Sequence, residues 1–229
     1  MPSRVCVVIP TVDNSTELAL ALDGLKNQTF QEMDVVVVGP DQDQGRRITE
    51  ERGFRYIDDR GSSNRADACN IAIEETDSEI VLFTDDDVIV PRDWVEKLER
   101  WFERPEVSGV GGPNFAPIEE SDIWQKSIDV AFCNKFLTAG TNYGKKSGGD
   151  LEEVEQLPGV NSAYRREVLE EVGGFDRGAI GAEDVMLDHR IRQSGYRLWS
   201  DGSATMSVSY THLRAHETLR YLVCRLLLE

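Results

Sequence analysis

"VLFTDDDVIVPRDW" (residues 81–94) sets an apolar run directly against three consecutive carboxylates. Val81 to Thr84 suits a buried strand, whereas Asp85, Asp86 and Asp87 repel one another and call for water or a cation. Ligands of an open α/β sheet bind beyond the carboxyl ends of its strands. A D-x-D at such an end offers hard oxygen ligands to Mg²⁺ or Mn²⁺, which prefer carboxylates, water and phosphate oxygens. A solvated acidic turn is the competing meaning of the same triplet.

The segments around it decide between sheet and isolated strand. "RVCVVIP" (4–10) and "DVVVV" (34–38) are continuous apolar runs of the kind buried on both faces of a parallel sheet, and "FRYI" (54–57) is a shorter one. Between them, Asn14 with Glu17 makes a capping-box-like start, and Leu18, Leu22 and Leu25 recur at helical spacing. Charged helical stretches are expected near 43–52 and 65–76, and a further helix carries Trp94, Leu98, Trp101 and Phe102 on one face. Strands alternating with helices predict an α/β fold with helices on both faces. The second half is less regular. It reads as a strand at 107–114 running into a Gly-rich loop, a helix at 121–138 and a loop through "TAGTNYGKKSGGD". Strand, helix and Gly-Gly stop follow over 159–176, and then a helix over 182–195 with an acidic first turn and a basic last turn.

Composition limits the partners. The 229 residues carry a formal net charge of −17, which opposes binding to nucleic acid or to an anionic membrane surface. Of the 25 basic residues only six are Lys, and an acidic, lysine-poor chain resembles proteins of salt-rich cytoplasms. Cys6, Cys69, Cys133 and Cys224 form no zinc or redox signature and read as buried thiols of a reducing compartment. No signal peptide opens the chain and no stretch nears the ~20 apolar residues of a membrane span, so a cytoplasmic location is expected.

Two further clusters could serve the acidic triplet. In "NRADACN" (64–70), Arg65 could pair with a phosphate through its planar fork and Asn70 could fix a loop; an ordinary helix start explains the same residues. In "AED" (182–184), Glu183 and Asp184 stand at a helix N-terminus, where a carboxylate suits a general base and equally suits simple compensation of the helix dipole.

From "VVIPTVDN" (7–14) to "YRLWSDGSA" (196–204) these pieces together resemble the family-2 glycosyltransferases of the GT-A fold. The ordered matches are Arg65 to Asn70 as (K/R)-A-x-A-x-N, Phe83 to Pro91 as FTDDD…P, "PGVNSAYRREVLEEVGGFD" and "EDVMLDHRIRQSGYRL". The resemblance implies a mostly parallel central sheet in a single domain over 1–207, and transfer of a sugar from a UDP- or GDP-sugar to an acceptor hydroxyl with inversion. It implies Mg²⁺ or Mn²⁺ as cofactor. The acceptor would be a glycan or a lipid-linked sugar, with peripheral association at the inner membrane face as a family habit. Pro10, Thr11 and Asp13 match the nucleotide-holding loop, Arg65 the diphosphate side, and Asp85 and Asp87 the metal and ribose-diphosphate motif. Asp87 is the preferred direct ligand and Asp86 stands between the two. Asn161 and Ala163 match the donor-sugar pocket, Asp184 the base, and Glu183 a contact to sugar or acceptor hydroxyls.

The chain departs from the family in two places. Gly39-Pro40 stands where members carry an acidic pair after the second strand, leaving Asp41 as the candidate replacement for the base contact. Many members also place a metal- or phosphate-binding His just after a strand resembling "SATMS", and an adapter-like segment begins here about where that His would fall. "VSYTHLRAHETLRYLVCRLLLE" (208–229) looks like a translated sequencing-library adapter, so residues beyond Ser207 are set aside as an artefactual tail. Two other classes stay open. One is a nucleotidyltransferase, for which "PTVDNSTE" lacks the Gly-rich basic loop; the other is a non-catalytic sugar- or nucleotide-binding protein or inactive fragment.

Overall fold

The computed structural model describes residues 3–12, 15–41, 44–62, 64–115, 150–179 and 181–208. Asp13, Asn14, the helix expected at 121–138, most of the loop after it, and residues 209–229 lie outside the described residues. So do Cys133 and Cys224.

Eight strands form one sheet in the order β3-β2-β1-β4-β9-β6-β10-β8. Its first half is made from the apolar runs: β1 (Val5–Pro10), β2 (Met33–Gly39), β3 (Arg55–Asp58) and β4 (Ile80–Phe83), all parallel. Burial on both faces explains why these runs lack alternation. Val5, Val7 and Ile9 of β1 pack with Leu18, Leu22 and Leu25 of helix α1 (Ser15–Lys26) and with Trp94 and Leu98 of α4 (Trp94–Glu99). Cys6 and Val8 point the other way, into a second cluster with Cys69 and Ile73 of α3 (Arg65–Glu74). Helix α2 (Gln44–Glu51) connects β2 to β3, and a single 3-10 turn (Arg100–Glu103) continues α4.

Chain direction reverses at β9 (Ser162–Arg165), which runs antiparallel to β4 on one side and to β6 (Gly109–Gly111) on the other. Beyond lie β10 (Leu198–Asp201), parallel to β6, and β8 (Leu151–Val154), antiparallel at the edge. The sheet is therefore mostly parallel, as expected. Helices α5 (Arg166–Glu171) and α6 (Glu183–Gln193) cover the second half on the α3 side, with Val168, Leu169, Leu187 and Ile191 in the same cluster.

A three-stranded sheet, β5 (Val88–Ile89), β11 (Met206–Val208) and β7 (Asn114–Phe115), stands beside the first. The strand expected over 107–114 is thus two short ones. Gly112-Pro113 breaks it, because proline donates no ladder hydrogen bond. A Cβ on Gly112 would also lie 1.9 Å from the Ala204 carbonyl oxygen. Cys6 and Cys69 are buried free thiols, and burial pushes the pKa of both up to about 12. Among the described residues no helix is long and apolar enough to cross a membrane.

Candidate active site

Register fixes where the site must be. Pro10 pairs with Val38, Gly39 with Asp58, and Val8 with Phe83, so the carboxyl ends of β1 to β4 share one edge. A cleft of about 410 Å³ opens there. Pro10, Thr11 and Val12 line it from β1, Asp59 and Ser62 from the turn after β3, and Asn64, Arg65 and Ala68 from the start of α3. Asp85, Asp86 and Asp87 line it from the end of β4.

Arg65 is the hub of this cleft. Asn64 caps α3, its side-chain oxygen accepting the Asp67 N–H at 2.9 Å, and this fixes the first turn that carries Arg65. The guanidinium Nε donates to Asp85 Oδ1 at 2.9 Å, Nη1 to Glu183 Oε1 at 3.3 Å and Nη2 to the Gly159 carbonyl at 2.8 Å. Burial disfavours its charge, yet Asp85, the Cys69 sulfur and Glu183 together more than offset that and hold its pKa well above the ordinary arginine value.

The three carboxylates are not equivalent. Asp85 is paired with Arg65, and Asp86 accepts from the Thr11 hydroxyl. Asp87 pairs with no basic side chain among the described residues. Burial, then the charges of Asp85 and Asp86, push its carboxyl from 3.8 up to about 7. No group of three His, Cys, Asp or Glu side chains among the described residues could hold a metal ion by itself. Oxygen ligands beside an uncompensated carboxylate nevertheless fit a hard divalent cation that draws its remaining ligands from phosphate and water.

On the other side of Arg65, Gly181 and Ala182 adopt positive φ (88° and 58°) and turn the chain into α6. Glu183 reaches Arg65, whereas Asp184 is 5% exposed and accepts the Gly159 N–H through Oδ2 at 3.0 Å. The Gly159 peptide therefore joins Asp184 through its N–H and Arg65 through its carbonyl. One turn on, fully buried Asp188 accepts the Leu157 N–H at 2.6 Å and the Tyr164 hydroxyl at 2.8 Å, pinning the same loop from below. Burial holds the Asp188 carboxyl well above its usual range.

Several predicted residues fall elsewhere. Asp41 is exposed, forms an ion pair with Arg46 at 2.6 Å and does not line the cleft. Asn70 is buried and brackets Phe175, donating to its carbonyl and accepting its N–H, both at 2.8 Å, which anchors the Gly-Gly turn after α5. Asn161 is wholly enclosed: it accepts the Trp94 indole N–H at 2.8 Å and donates to the Ala204 carbonyl at 2.8 Å. Ala163 sits in the core of β9 with no exposure. Sequence reasoning missed Asp59, Ser62, Asn64 and Ala68 as cleft residues. Their signal was available, since "YIDD" ends a parallel strand at the same edge as the acidic triplet.

Comparison with known proteins gives the family and the fold. Residues 6–173 match Glycosyl transferase family 2. The O-antigen chain rhamnosyltransferase RfbN of Salmonella typhimurium is 23% identical over 227 residues, covering 95% of this chain and 70% of its own. The glucosyl-dolichyl phosphate glucuronosyltransferase of Haloferax volcanii is 25% identical over 186 residues, covering 76% of this chain and 56% of its own. The mannosyltransferase PcManGT from Pyrobaculum calidifontis, solved with GDP-Man and Mn²⁺, superposes with a TM-score of 0.72 at 21% identity. That match covers 100% of this chain and 65% of that one. The chain thus spans between about half and 70% of these proteins. With the parallel sheet edge, its acidic turn and a match over most of its length, the chain belongs to glycosyl transferase family 2 and has the GT-A fold.

Proposed function

We propose that the protein transfers a sugar from a UDP- or GDP-sugar to an acceptor hydroxyl, with inversion at the anomeric carbon. One observation carries this reading: Arg65 lines the cleft beside the acidic strand-end turn and bridges Asp85 to Glu183, and a second carboxylate, Asp184, is joined to that arginine through the Gly159 peptide.

Asp87, with Asp85 beside it, would hold Mg²⁺ or Mn²⁺ together with the donor diphosphate. The bound cation offsets charge that develops on the departing nucleotide. Arg65 supplies the fork that holds the phosphate oxygens, and the loop after β1 seats the nucleoside. Asp184 takes the proton of the acceptor hydroxyl as that oxygen bonds to the anomeric carbon. The bond from that carbon to the diphosphate oxygen breaks, and its electron pair leaves with the nucleoside diphosphate. Glu183 positions Arg65 and contacts sugar or acceptor hydroxyls.

The relatives' names, an O-antigen chain rhamnosyltransferase and a glucosyl-dolichyl phosphate glucuronosyltransferase, support a glycan or lipid-linked acceptor.

A positioned base contributes about 10²- to 10⁴-fold. Asp184→Asn is therefore expected to lower turnover by that factor while Mn²⁺-dependent nucleotide binding persists. Near-normal turnover in this variant would reject Asp184 as the base, and Glu183→Gln run in parallel shows whether its neighbour takes that role. Asp87→Ala should weaken binding and turnover together, and unchanged metal dependence would reject Asp87 as a ligand. Wild-type binding of donor with neither transfer nor donor hydrolysis would favour the non-catalytic reading.

A further inference from the structure

Asp59 is a cleft carboxylate that the diphosphate chemistry does not use. It follows β3, and its backbone N–H donates to the Gly39 carbonyl at 2.9 Å, which sets it beside the end of β2. That is where the family resemblance puts an acidic pair and this chain has Gly39-Pro40. No side chain fits at 39: a Cβ there would lie 2.5 Å from the Tyr56 hydroxyl and 2.9 Å from the Thr11 carbonyl oxygen. Asp41 is turned to Arg46. Of the two acidic residues at the end of β3 in this corner, Asp58 is exposed and lies outside the cleft lining, whereas Asp59 is buried and lines it.

Its surroundings select what it can bind. Asp59 is 7% exposed and lines the cleft. Its Oδ1 accepts the Gly61 N–H at 2.9 Å, and its carbonyl accepts from Ser62, so a tight turn with positive φ at Arg60 (56°) and Gly61 (74°) holds it in place. Among the described residues nothing donates to Oδ2 and no basic side chain pairs with it. Pro10, Val12 and Ala68 give the same cleft apolar walls, and Val12 is 80% exposed. Apolar lining near a buried acceptor, in a cleft whose other carboxylates come from the end of β4, suits a planar ring that presents hydrogen-bond donors.

We propose that Asp59 reads the base of the donor nucleotide and selects guanine. An ionised carboxylate only accepts hydrogen bonds. Guanine presents adjacent N1–H and N2–H donors, which two carboxylate oxygens can receive. Uracil presents one N–H between two carbonyl oxygens, whose lone pairs face the carboxylate. Adenine and cytosine set a ring-nitrogen acceptor beside their amino group. The inference rests on the nucleotide-sugar reading above and extends it by naming the base.

The test is calorimetric titration of the full chain with GDP, UDP and inosine diphosphate in Mn²⁺, using wild type and Asp59→Asn. A bidentate base contact is worth about 1–3 kcal/mol, roughly 5- to 150-fold. Wild type is expected to bind GDP at least ~10-fold tighter than UDP, with inosine diphosphate, which lacks the amino group, in between. Asp59→Asn should lose most of the preference for GDP and change UDP affinity less than ~3-fold. Equal wild-type affinities for GDP, UDP and inosine diphosphate would overturn the proposal without any variant. An equal loss for GDP and UDP in Asp59→Asn would reduce Asp59 to a structural role. If folded wild type binds none of the three, the nucleotide-sugar reading itself fails.

Discussion

Asp87 shows at one residue how a site can work against the fold that carries it. Its folded pKa of about 7 lies above the ordinary 3.8, so the native state keeps a proton that the unfolded chain releases. The resulting destabilisation is absent below about pH 4, grows between pH 4 and 7, and is complete above 7. In metal-free protein, Asp87→Asn should therefore raise the melting temperature at pH 8 and leave it unchanged near pH 4; an equal rise at both would mean that ionisation is not the cause. Tyr164→Phe tests the pin beneath the Gly159 loop. It leaves buried Asp188 with one donor fewer and should cost about 1–3 kcal/mol in urea unfolding. At this scale the sequence was informative wherever a residue type carries chemistry by itself. Asp85 to Asp87, Arg65 and Glu183 lie together as their motifs suggested. Asn161 does not, because an asparagine motif looks the same whether its amide faces a ligand or ties two loops from within; Asn70 fixes the Phe175 loop, a role its motif allowed.

Among the elements, legibility followed burial. β1, β2 and β4 are apolar runs and were readable; β8, "LEEV", is not, since its residues are exposed or half-buried and it is a strand only because β10 lies beside it. β5 and β7, two residues each, owe their state to β11 in the same way. Arg166 is another case of distant dependence. It follows β9, yet it donates to the Ile73 and Ser78 carbonyls at 2.6 Å and to the Thr76 hydroxyl at 2.7 Å, closing the C-terminal end of α3. Arg166→Ala should cost about 2–4 kcal/mol in urea unfolding by stranding those acceptors. A loss below ~0.5 kcal/mol would show that water replaces the guanidinium there.

Across the whole molecule, like-charge repulsion works against compaction. A net −17 favours expansion, and the exposed ion pairs that oppose it, such as Arg47–Glu51, Arg60–Glu74 and Arg197–Glu153, each contribute about 0–1 kcal/mol. Raising salt from 0.1 to 1 M shortens the screening length from about 10 to 3 Å. The melting temperature should rise over that range, because screening removes more repulsion than attraction; a fall would mean that the ion pairs dominate.

Each of the cleft-lining residues precedes Val88, on the parallel side of the β4–β9 reversal in the sheet, while Glu183 and Asp184 come from beyond β9 in the chain. On the proposed reading, donor handling and acceptor chemistry fall in successive stretches of one chain, joined by the β4–β9 ladder and by the contacts of Arg65, Asn70 and Arg166. A lineage built this way can revise what it decorates by rewriting the later stretch, and inherit its grip on the activated sugar unaltered.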